Sequence, residues 1–244
     1  MTVRDILNEK LKKGALHMTL LDPAKQRPAE AGNITKLAYE LGTDAIMVGG
    51  STGVTQENLD QTVKAIKAQV KVPVIYFPSG ANAISPYCDA MYFMSMLNSR
   101  NLRMVMGEQV MGAPIVAKLK LEALPMGYII VAPGMKVGEV GEADLIPRDK
   151  PKLAVAYALA AQFLGMHYVY LEAGSGAPQA VPDEMIQEVR KAVSIPILVG
   201  GGIRDAETAA RVKRAGASIV VTGTVVEDGS YIGRLESIIE AVKS

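Results

Sequence analysis

The sequence predicts a (β/α)₈ barrel, a TIM barrel, that forms one domain over residues 1–244. Three observations support this fold class. Short apolar runs alternate with amphipathic stretches along the whole chain, eight such runs are present, and 49% of the residues are hydrophobic, which suffices for one large core. A doubly wound open sheet is the alternative, but it more often has about five to seven strands.

The predicted strands are nearly continuous apolar runs, as expected for parallel strands that are covered on both faces. They span residues 15–21, 45–50, 72–77, 90–96, 126–132, 167–173, 195–200 and 218–223. The stretches between them have helical periodicity, and several open with Pro or Asp and close with Gly, as helices do. The clearest of these predicted helices cover residues 29–42, 57–70, 151–165, 182–194 and 205–217.

One unit departs from this pattern. Only PSGANAISPYCD (78–89) separates the third predicted strand from the fourth, and it contains two prolines. Such a segment is too short and too broken for an outer helix. The third outer helix is therefore expected to be absent or irregular, which would leave a gap in the helix ring.

Composition excludes several classes of protein. A net charge of +1 gives no electrostatic footprint for nucleic acid, and the single cysteine, Cys88, excludes an internal disulfide framework. No apolar run approaches the roughly 20 residues that span a bilayer. The N-terminal stretch is charged and helix-like, without the apolar core of a signal peptide. A cytoplasmic protein is expected.

Glycine-rich turns follow the last two predicted strands. Gly200, Gly201 and Gly202 come after the seventh strand, and Gly223 and Thr224 come after the eighth. In (β/α)₈ barrels these loops commonly bind phosphate, because glycine lets backbone N–H groups approach an anion beside a helix N-terminus. Tight turns without a ligand are the alternative, but two such loops on adjacent strands favour a phosphate site.

Glu172 stands where the sixth strand meets a loop of bare backbone. Alternation along the strand places Tyr170 and Glu172 on one face, and Val169 and Leu171 on the other. Val169 and Leu171 suit the outer helices, so Glu172 is expected at the barrel mouth. There it can hold or deprotonate substrate hydroxyls; a helix cap or a surface charge is the alternative.

Asp22 ends the first strand and Ser51 follows the second, so their oxygens can converge. A few protein oxygens together with substrate phosphate oxygens are the usual ligands of Mg²⁺, and magnesium is the predicted cofactor. Asp22 before Pro23 could instead cap a helix. His17 lies inside the first strand and His167 opens the sixth at the opposite end, so both are predicted to be structural.

An ordered set of motifs carries a family resemblance. LLDP (20–23), GGSTG (49–53), YLEAGSGAP (170–178), VGGGIR (199–204) and VTGT (221–224), with EALPMGY (122–128) and IPRDKP (146–151), resemble archaeal geranylgeranylglyceryl phosphate synthases. The resemblance covers nearly the whole chain. It implies a prenyltransferase that joins geranylgeranyl diphosphate to sn-glycerol 1-phosphate, forming the first ether bond of archaeal membrane lipids.

The resemblance also implies roles for particular residues. Magnesium positions match Asp22 and Ser51, and Glu172 is the catalytic candidate. Glycerol phosphate positions match Tyr170, Leu171, Glu172, Ala173, Gly174, Ser175, Gly176, Gly201, Gly202, Gly223 and Thr224. Related bacterial heptaprenylglyceryl phosphate synthases tend to carry a lysine where this chain has Leu20, which leaves open which cation meets the phosphates; Lys25 and Arg204 are candidates.

The prenyl tail needs an apolar channel, and the gap after the third strand is the predicted opening. Six of the thirteen methionines follow it: Met91, Met94, Met96, Met104, Met106 and Met111. Methionine adapts to flexible hydrocarbon, although Met94 and Met96 could simply fill the core. Tyr87 and Tyr92 are predicted walls or stoppers of this groove, together with Met94.

Other functions remain open at this stage. One is a prenylglyceryl phosphate synthase of another chain length. Another is a phosphosugar isomerase or lyase, although such barrels usually pair acids and the fifth strand ends in VAPG without one. A non-catalytic phosphate-binding barrel is the third. The expected partners are the two small substrates and further copies of the chain, with transient contact to a membrane surface and no nucleic acid.

Overall fold

The chain folds into a closed barrel of eight parallel strands, as the sequence predicts. The computed structural model describes residues 1–227 and 231–244. Neighbouring strands pair in sequence order, and β1 closes the barrel against β8 through the pairs Leu16 with Ile219 and Thr19 with Thr222. The strands are β1 (Leu16–Leu21), β2 (Ala45–Val48), β3 (Val74–Tyr76), β4 (Ala90–Met96), β5 (Glu122–Ile130), β6 (Tyr168–Glu172), β7 (Ile197–Gly200) and β8 (Ile219–Thr222).

Helices surround the barrel. They are α1 (Val3–Leu11), α2 (Pro28–Glu40), α3 (Gln56–Lys67), α4 (Glu108–Leu119), α5 (Met135–Val140), α6 (Pro151–Phe163), α7 (Asp183–Ala192), α8 (Ala206–Ala215) and α9 (Tyr231–Lys243). A π-helix (Arg103–Gly107) leads into α4, and a short 3₁₀-helix (Thr224–Glu227) follows β8. Side-chain caps begin several helices: the Thr208 N–H donates to Asp205 Oδ1 (2.7 Å) at the start of α8.

The third unit lacks its outer helix, which confirms the prediction. Residues 78–89, called here the β3–β4 segment, contain neither helix nor strand. The segment ends at Asp89, whose Oδ2 accepts a hydrogen bond from the Val74 N–H (2.9 Å) at the start of β3. The helix ring therefore has an opening between α3 and α4 that only this irregular segment covers.

Two details differ from the sequence expectation. β5 begins at Glu122 and not at residue 126, so Pro125 lies inside the strand. Proline lacks the N–H that a central strand uses to pair with its neighbour. Its carbonyl is still used, because it accepts a hydrogen bond from the His167 N–H (2.8 Å). The short helix α5 after β5 was also not expected.

The core has two layers. Residues such as Val169 and Leu171 pack between the strands and the outer helices, as their alternation predicted. The interior of the barrel holds a second layer that is rich in tyrosine. There the rings of Phe77, Tyr128 and Tyr170 contact one another, with centroids 5.2 to 5.7 Å apart. This aromatic layer forms the floor of the barrel mouth.

Candidate active site

Two adjoining cavities lie at the carboxyl ends of the strands. The smaller, of about 40 Å³, is enclosed by the loops that follow β6, β7 and β8. The larger, of about 350 Å³, extends from the mouth toward the β3–β4 segment and α4. Four residues line both cavities: Leu20, Glu172, Ser175 and Gly223. A molecule in one cavity would therefore meet a molecule in the other beside Glu172.

Glycines build the wall of the smaller cavity. Gly201 and Gly202 have φ angles of +80° and +70°, a region that L-residues rarely adopt. A Cβ on Gly201 would lie 2.5 Å from Glu172 Oε1, and a Cβ on Gly202 would lie 2.4 Å from the Gln179 backbone. Glycine is therefore required at both positions, and it brings bare backbone against the cavity. Both residues were predicted from sequence.

Polar groups complete the smaller cavity. Ser175 Oγ and Thr224 Oγ1 lie 3.0 Å apart and join the loops after β6 and β8. Thr224 also begins the 3₁₀-helix and lines this cavity. Arg204 Nη2 donates to the Gly176 carbonyl (2.7 Å) and lines the cavity, which places a guanidinium there. Hydroxyls, glycine backbone and a cation are the chemistry that binds phosphate.

Glu172 occupies the junction of the two cavities and is 6% exposed. Its Oε1 accepts a hydrogen bond from the Gly174 N–H (2.7 Å), and the Tyr170 and Tyr128 hydroxyls lie close enough to influence its pKa. Burial raises the pKa of Glu172, and the hydrogen bonds from Tyr170, Gly174 and Tyr128 oppose that rise. A buried carboxylate of raised basicity, oriented by the Gly174 N–H, is suited to accept a proton. The alternatives of a helix cap and a surface charge are wrong.

Tyr128 is a site residue that the sequence interpretation missed. It lies directly opposite Tyr170 in the β5–β6 ladder and also lines the larger cavity. Within the run MGYIIVA it looks like an ordinary core residue. Its role arises from the pairing of β5 with β6, which places Tyr128 beside Tyr170 on the inward face, and the sequence carries no local signal of that register. Tyr170 in turn requires Gly200, where a Cβ would lie 2.2 Å from the Tyr170 hydroxyl.

Asp22 and Ser51 both line the larger cavity. Asp22 Oδ1 accepts a hydrogen bond from the Ala24 N–H (2.9 Å) and lies against Gly50, where a Cβ would be 2.2 Å away. The ends of β1 and β2 therefore lie side by side at the cavity, with Asp22 and Ser51 both in its wall. Helix α2 begins only at Pro28, so the alternative in which Asp22 caps that helix is wrong.

The donor set at this position fits a hard cation only in part. One carboxylate and one hydroxyl are oxygen donors of the kind that Mg²⁺ prefers. Residues 1–227 and 231–244 contain no group of three or more His, Cys, Asp or Glu side chains that could hold a metal ion. An ion between Asp22 and Ser51 would therefore depend on substrate oxygens for further ligands, as the sequence interpretation assumed.

The larger cavity opens where the sequence predicted a groove. Met91, Met94, Met96 and Met104 line it, and so does Tyr92, which is fully buried inside the barrel. The other two methionines of the predicted set, Met106 and Met111, are 55% and 47% exposed and do not line it.

Tyr87 does not line the cavity either, which corrects the expectation. It lies in the β3–β4 segment with 42% of its surface exposed, and the Lys64 ammonium stands 4.1 Å from its ring centroid. The side chain therefore packs on the solvent side of α3. Of the three residues assigned to the groove, the structure brings together Tyr92 and Met94.

Three residues of the predicted phosphate loop line neither cavity. The Leu171 side chain packs among the outer helices, and Ala173 is fully buried. Gly174 contributes its N–H to Glu172. A Cβ on Gly174 would lie 2.5 Å from the Gly134 carbonyl, so this glycine lets the loop pack against the start of α5. These residues support the cavity and do not face it.

The histidines are structural, as predicted. His17 is fully buried, with Nδ1 3.0 Å from Thr43 Oγ1 and Nε2 2.9 Å from Thr222 Oγ1. Burial lowers its pKa to about 3. His167 precedes β6 at the opposite end of the barrel from the cavities. Lys25, the other candidate phosphate cation, lines the larger cavity near Asp22.

The fold and the two cavities define a (β/α)₈ barrel whose mouth combines a small site suited to phosphate with a larger, mainly apolar one. The PcrB family model matches residues 4–244, and the chain belongs to that family. A "Geranylgeranylglyceryl phosphate synthase" of Thermococcus gammatolerans is 52% identical over 99% of this chain and 96% of the relative. The protein of that name from Methanothermobacter thermautotrophicus is 49% identical over both full lengths.

A solved structure is also similar over the whole chain. The (S)-3-O-geranylgeranylglyceryl phosphate synthase of Thermoplasma acidophilum, in complex with its substrate sn-glycerol-1-phosphate, is 45% identical with a TM-score of 0.97. The match covers 100% of this chain and 99% of that one. Among the described residues of the present chain, none of the helices is both long and apolar enough to cross a bilayer.

Proposed function

We propose that this chain is a prenyltransferase that joins geranylgeranyl diphosphate to sn-glycerol 1-phosphate and releases diphosphate. The observation that carries the proposal is the pair of adjoining cavities that share Glu172. One is lined by glycine backbone, hydroxyls and the Arg204 guanidinium, and the other is larger and lined by methionine and aromatic side chains. Membership of the PcrB family and the names of its relatives support the same reaction.

The smaller cavity is assigned to the glycerol phosphate. The Gly202 and Gly223 backbone, the hydroxyls of Ser175 and Thr224, and the Arg204 guanidinium would surround the phosphate group. Binding there leaves the terminal hydroxyl directed toward the shared wall. Fixing that oxygen beside the reacting carbon converts a bimolecular encounter into a positioned reaction.

Glu172 is assigned the role of the base that accepts the proton of the glycerol hydroxyl. The allylic C–O bond of the prenyl diphosphate breaks, and the diphosphate leaves with the electron pair. The glycerol oxygen forms the new ether bond to that carbon, and its proton passes to Glu172. The Gly174 N–H holds the carboxylate in place, and its raised pKa makes it a stronger base than an exposed glutamate.

We propose a magnesium requirement as well. Asp22 and Ser51 are the residues that would hold the ion, at the junction between the larger cavity and the ends of β1 and β2. Bound there, Mg²⁺ would neutralise charge on the leaving diphosphate. Lys25 lies in the same part of the wall and is placed to contact that group.

We propose that the chain acts in the cytoplasm as a homo-oligomer. The single cysteine, Cys88, is buried and unpaired, as suits a reducing compartment. The π-helix, α4 and the C-terminal end of α6 with the residue that follows it expose large apolar side chains: Met106, Val110, Ile115, Phe163 and Leu164. Exposed apolar faces of this kind favour a covering partner, and light scattering of the purified chain would report its mass.

The proposed reaction can be tested directly. The purified chain is incubated with Mg²⁺, sn-glycerol 1-phosphate and a panel of prenyl diphosphates of ten to about thirty-five carbons, and products are identified by mass spectrometry. We expect geranylgeranylglyceryl phosphate as the main product. The absence of any ether product with all donors, while sn-glycerol 1-phosphate still binds, would reject the prenyltransferase function and leave a phosphate-binding barrel.

A further inference from the structure

The β3–β4 segment forms an outer wall of the larger cavity. Because the third outer helix is absent, this irregular segment closes the space between α3 and α4. Gly80, Ala81 and Ile84 of the segment line the cavity on one side, and Glu108, Gln109 and Gly112 line it from α4. The distance between the segment and α4 therefore sets how wide the cavity is at this place.

On the α3 side the segment is held by paired hydrogen bonds. Gln56 Oε1 accepts from the Ile84 N–H (3.0 Å), and Gln56 Nε2 donates to the Ile84 carbonyl (3.2 Å). Asn82 Nδ2 donates to the Val54 carbonyl (3.0 Å). These bonds fix one edge of the segment to the rest of the barrel.

On the α4 side the corresponding contact is made by Glu108. Its Oε2 accepts a hydrogen bond from the Ala81 N–H (2.6 Å), and its Oε1 pairs with Arg103 Nε. The Glu108 side chain is 14% exposed, so solvent screens this bond little. Gly80 approaches so closely that a Cβ there would lie 2.9 Å from Glu108 Oε2.

One turn further along α4, the helix presents only backbone to the β3–β4 segment. Gly112 has no side chain, and a Cβ there would be 3.6 Å from Ile84 Cδ1 and 3.8 Å from the Ala81 Cβ. Position 112 therefore adds no side chain to the packing between α4 and the segment. The Glu108 bond is the polar contact that attaches the segment to α4.

We propose that Glu108 is a positioning residue that holds the β3–β4 segment against α4 and so shapes the larger cavity around a long hydrocarbon tail. This inference rests on the proposed prenyltransferase function. Glu108 acts through the Ala81 backbone and not on the reacting atoms. Its loss should widen the cavity beside the tail and leave Glu172 and the glycine loops unchanged.

The test compares Glu108→Ala, Glu108→Gln and Glu108→Asp in steady-state assays. Glu108→Ala should raise KM for geranylgeranyl diphosphate about five- to tenfold, as expected for losing a bond to a charged acceptor. KM for sn-glycerol 1-phosphate should stay the same. KM for the ten-carbon geranyl diphosphate should change less than about twofold, because a short tail makes fewer contacts along the wall.

The two conservative variants separate the effect of side-chain length at position 108 from the effect of its charge. Gln keeps an acceptor oxygen at the same length, so Glu108→Gln should restore most of the affinity. Asp keeps the charge but is one methylene shorter, so Glu108→Asp should resemble Glu108→Ala. Glu188→Ala is the matched control, because it removes an exposed helical glutamate that pairs with Lys191 far from both cavities.

The outcomes distinguish this inference from the proposed function. A wild-type chain without prenyltransferase activity rejects the function itself. An active wild type whose Glu108→Ala variant keeps its KM for geranylgeranyl diphosphate overturns the role of Glu108. A general structural role is the remaining outcome: both KM values and kcat would then deteriorate together with the melting temperature, and this result would also overturn the proposal.

Discussion

The two cavities at the barrel mouth have walls of different kinds, backbone in one and side chains in the other. The smaller one is shaped by backbone, with Gly201 and Gly202 in positions where any side chain would collide with Glu172 or with the Gln179 backbone. The larger one is shaped by flexible side chains, including Met94 and Met96, and by an irregular segment in place of a helix. A phosphate has one size and charge, so a rigid frame suits it. A hydrocarbon tail bends, so an adaptable wall suits it.

This contrast predicts different responses to mutation. A change in the backbone frame should abolish binding of one substrate, because no neighbouring group can move to compensate. A change in the adaptable wall should shift preference among substrates and lower turnover less. Glu172, which belongs to both cavities, should matter most.

Glu172→Gln is expected to have the largest effect, a loss of at least about 100-fold in kcat, because the amide cannot accept the proton. The change is nearly isosteric, so KM for sn-glycerol 1-phosphate should stay within about threefold. Glu188→Gln is the control for removing a glutamate charge. A variant with kcat within about threefold of wild type would exclude Glu172 as the base.

Glu172→Gln should also differ from the wild type in how its free energy of unfolding depends on pH. Burial raises the folded-state pKa of Glu172 above 4.5, so the folded chain binds more protons than the unfolded chain between pH 4.5 and the raised pKa. The free energy of unfolding of the wild type should therefore fall as the pH rises through that window. Glu172→Gln should lack this component. Melting curves of both proteins from pH 4 to 8 are the measurement. A parallel loss of stability in the wild type and in Glu172→Gln would contradict this expectation.

Gly202→Ala tests the rigid frame without touching Glu172. The new Cβ would collide with the Gln179 backbone at a residue whose φ is +70°. We expect KM for sn-glycerol 1-phosphate to rise at least about tenfold, with KM for geranylgeranyl diphosphate unchanged.

Gly165→Ala is the matched control for backbone strain. Gly165 has a φ of +79°, and a Cβ there would meet nothing within 4 Å. It follows α6 at the opposite end of the barrel. The control should lose about 1 kcal/mol of stability and keep both KM values. Equal kinetic losses in Gly202→Ala and Gly165→Ala would show that strain, and not the phosphate frame, explains the effect.

Asp22→Asn should raise the magnesium concentration for half-maximal activity about tenfold or more, since it removes the one carboxylate of the proposed ion site. Ser51→Ala should shift the curve in the same direction by less. A magnesium titration of initial rates is the measurement. An unchanged activation curve with a lowered melting temperature would mean that Asp22 serves only the turn in which it accepts from Ala24.

The smallest expected effect concerns Tyr92. Tyr92→Ala should change the preference among prenyl diphosphates of different length and leave KM for sn-glycerol 1-phosphate intact, because Tyr92 lines only the larger cavity. Tyr87→Ala, which removes a ring outside the cavity, is the control. The product distribution in a mixture of donors is the readout. Identical distributions in wild type and Tyr92→Ala would place the tail elsewhere.

The parts of the site that sequence could predict are those with a local backbone signal. Gly201, Gly202 and Glu172 stand out because glycine clusters and a lone carboxylate break an apolar strand. Tyr128 was missed because its role arises from its register opposite Tyr170, which only strand pairing reveals. Glu108 was missed for a related reason. Its partner, the Ala81 N–H, is 27 positions away in the chain and belongs to the backbone.

The structure also differs from the sequence prediction at the wall of the larger cavity. The absent third helix was predictable from the prolines and the length of the β3–β4 segment. Which aromatic side chains face the cavity was not, because an irregular segment has no periodicity from which to infer direction. Tyr92 lies in a strand, and its inward face was fixed by alternation, whereas Tyr87 lies in the segment and turns toward Lys64.

A crystal structure of the chain with sn-glycerol 1-phosphate and an unreactive thio analogue of geranylgeranyl diphosphate tests the account most directly. The account predicts the glycerol phosphate in the smaller cavity between Gly202 and Thr224, with its terminal hydroxyl beside Glu172. It predicts the tail in the larger cavity, passing Met94 and Met96 toward the β3–β4 segment. An empty smaller cavity, or a tail outside the wall that Gly80 and Glu108 form, would contradict it.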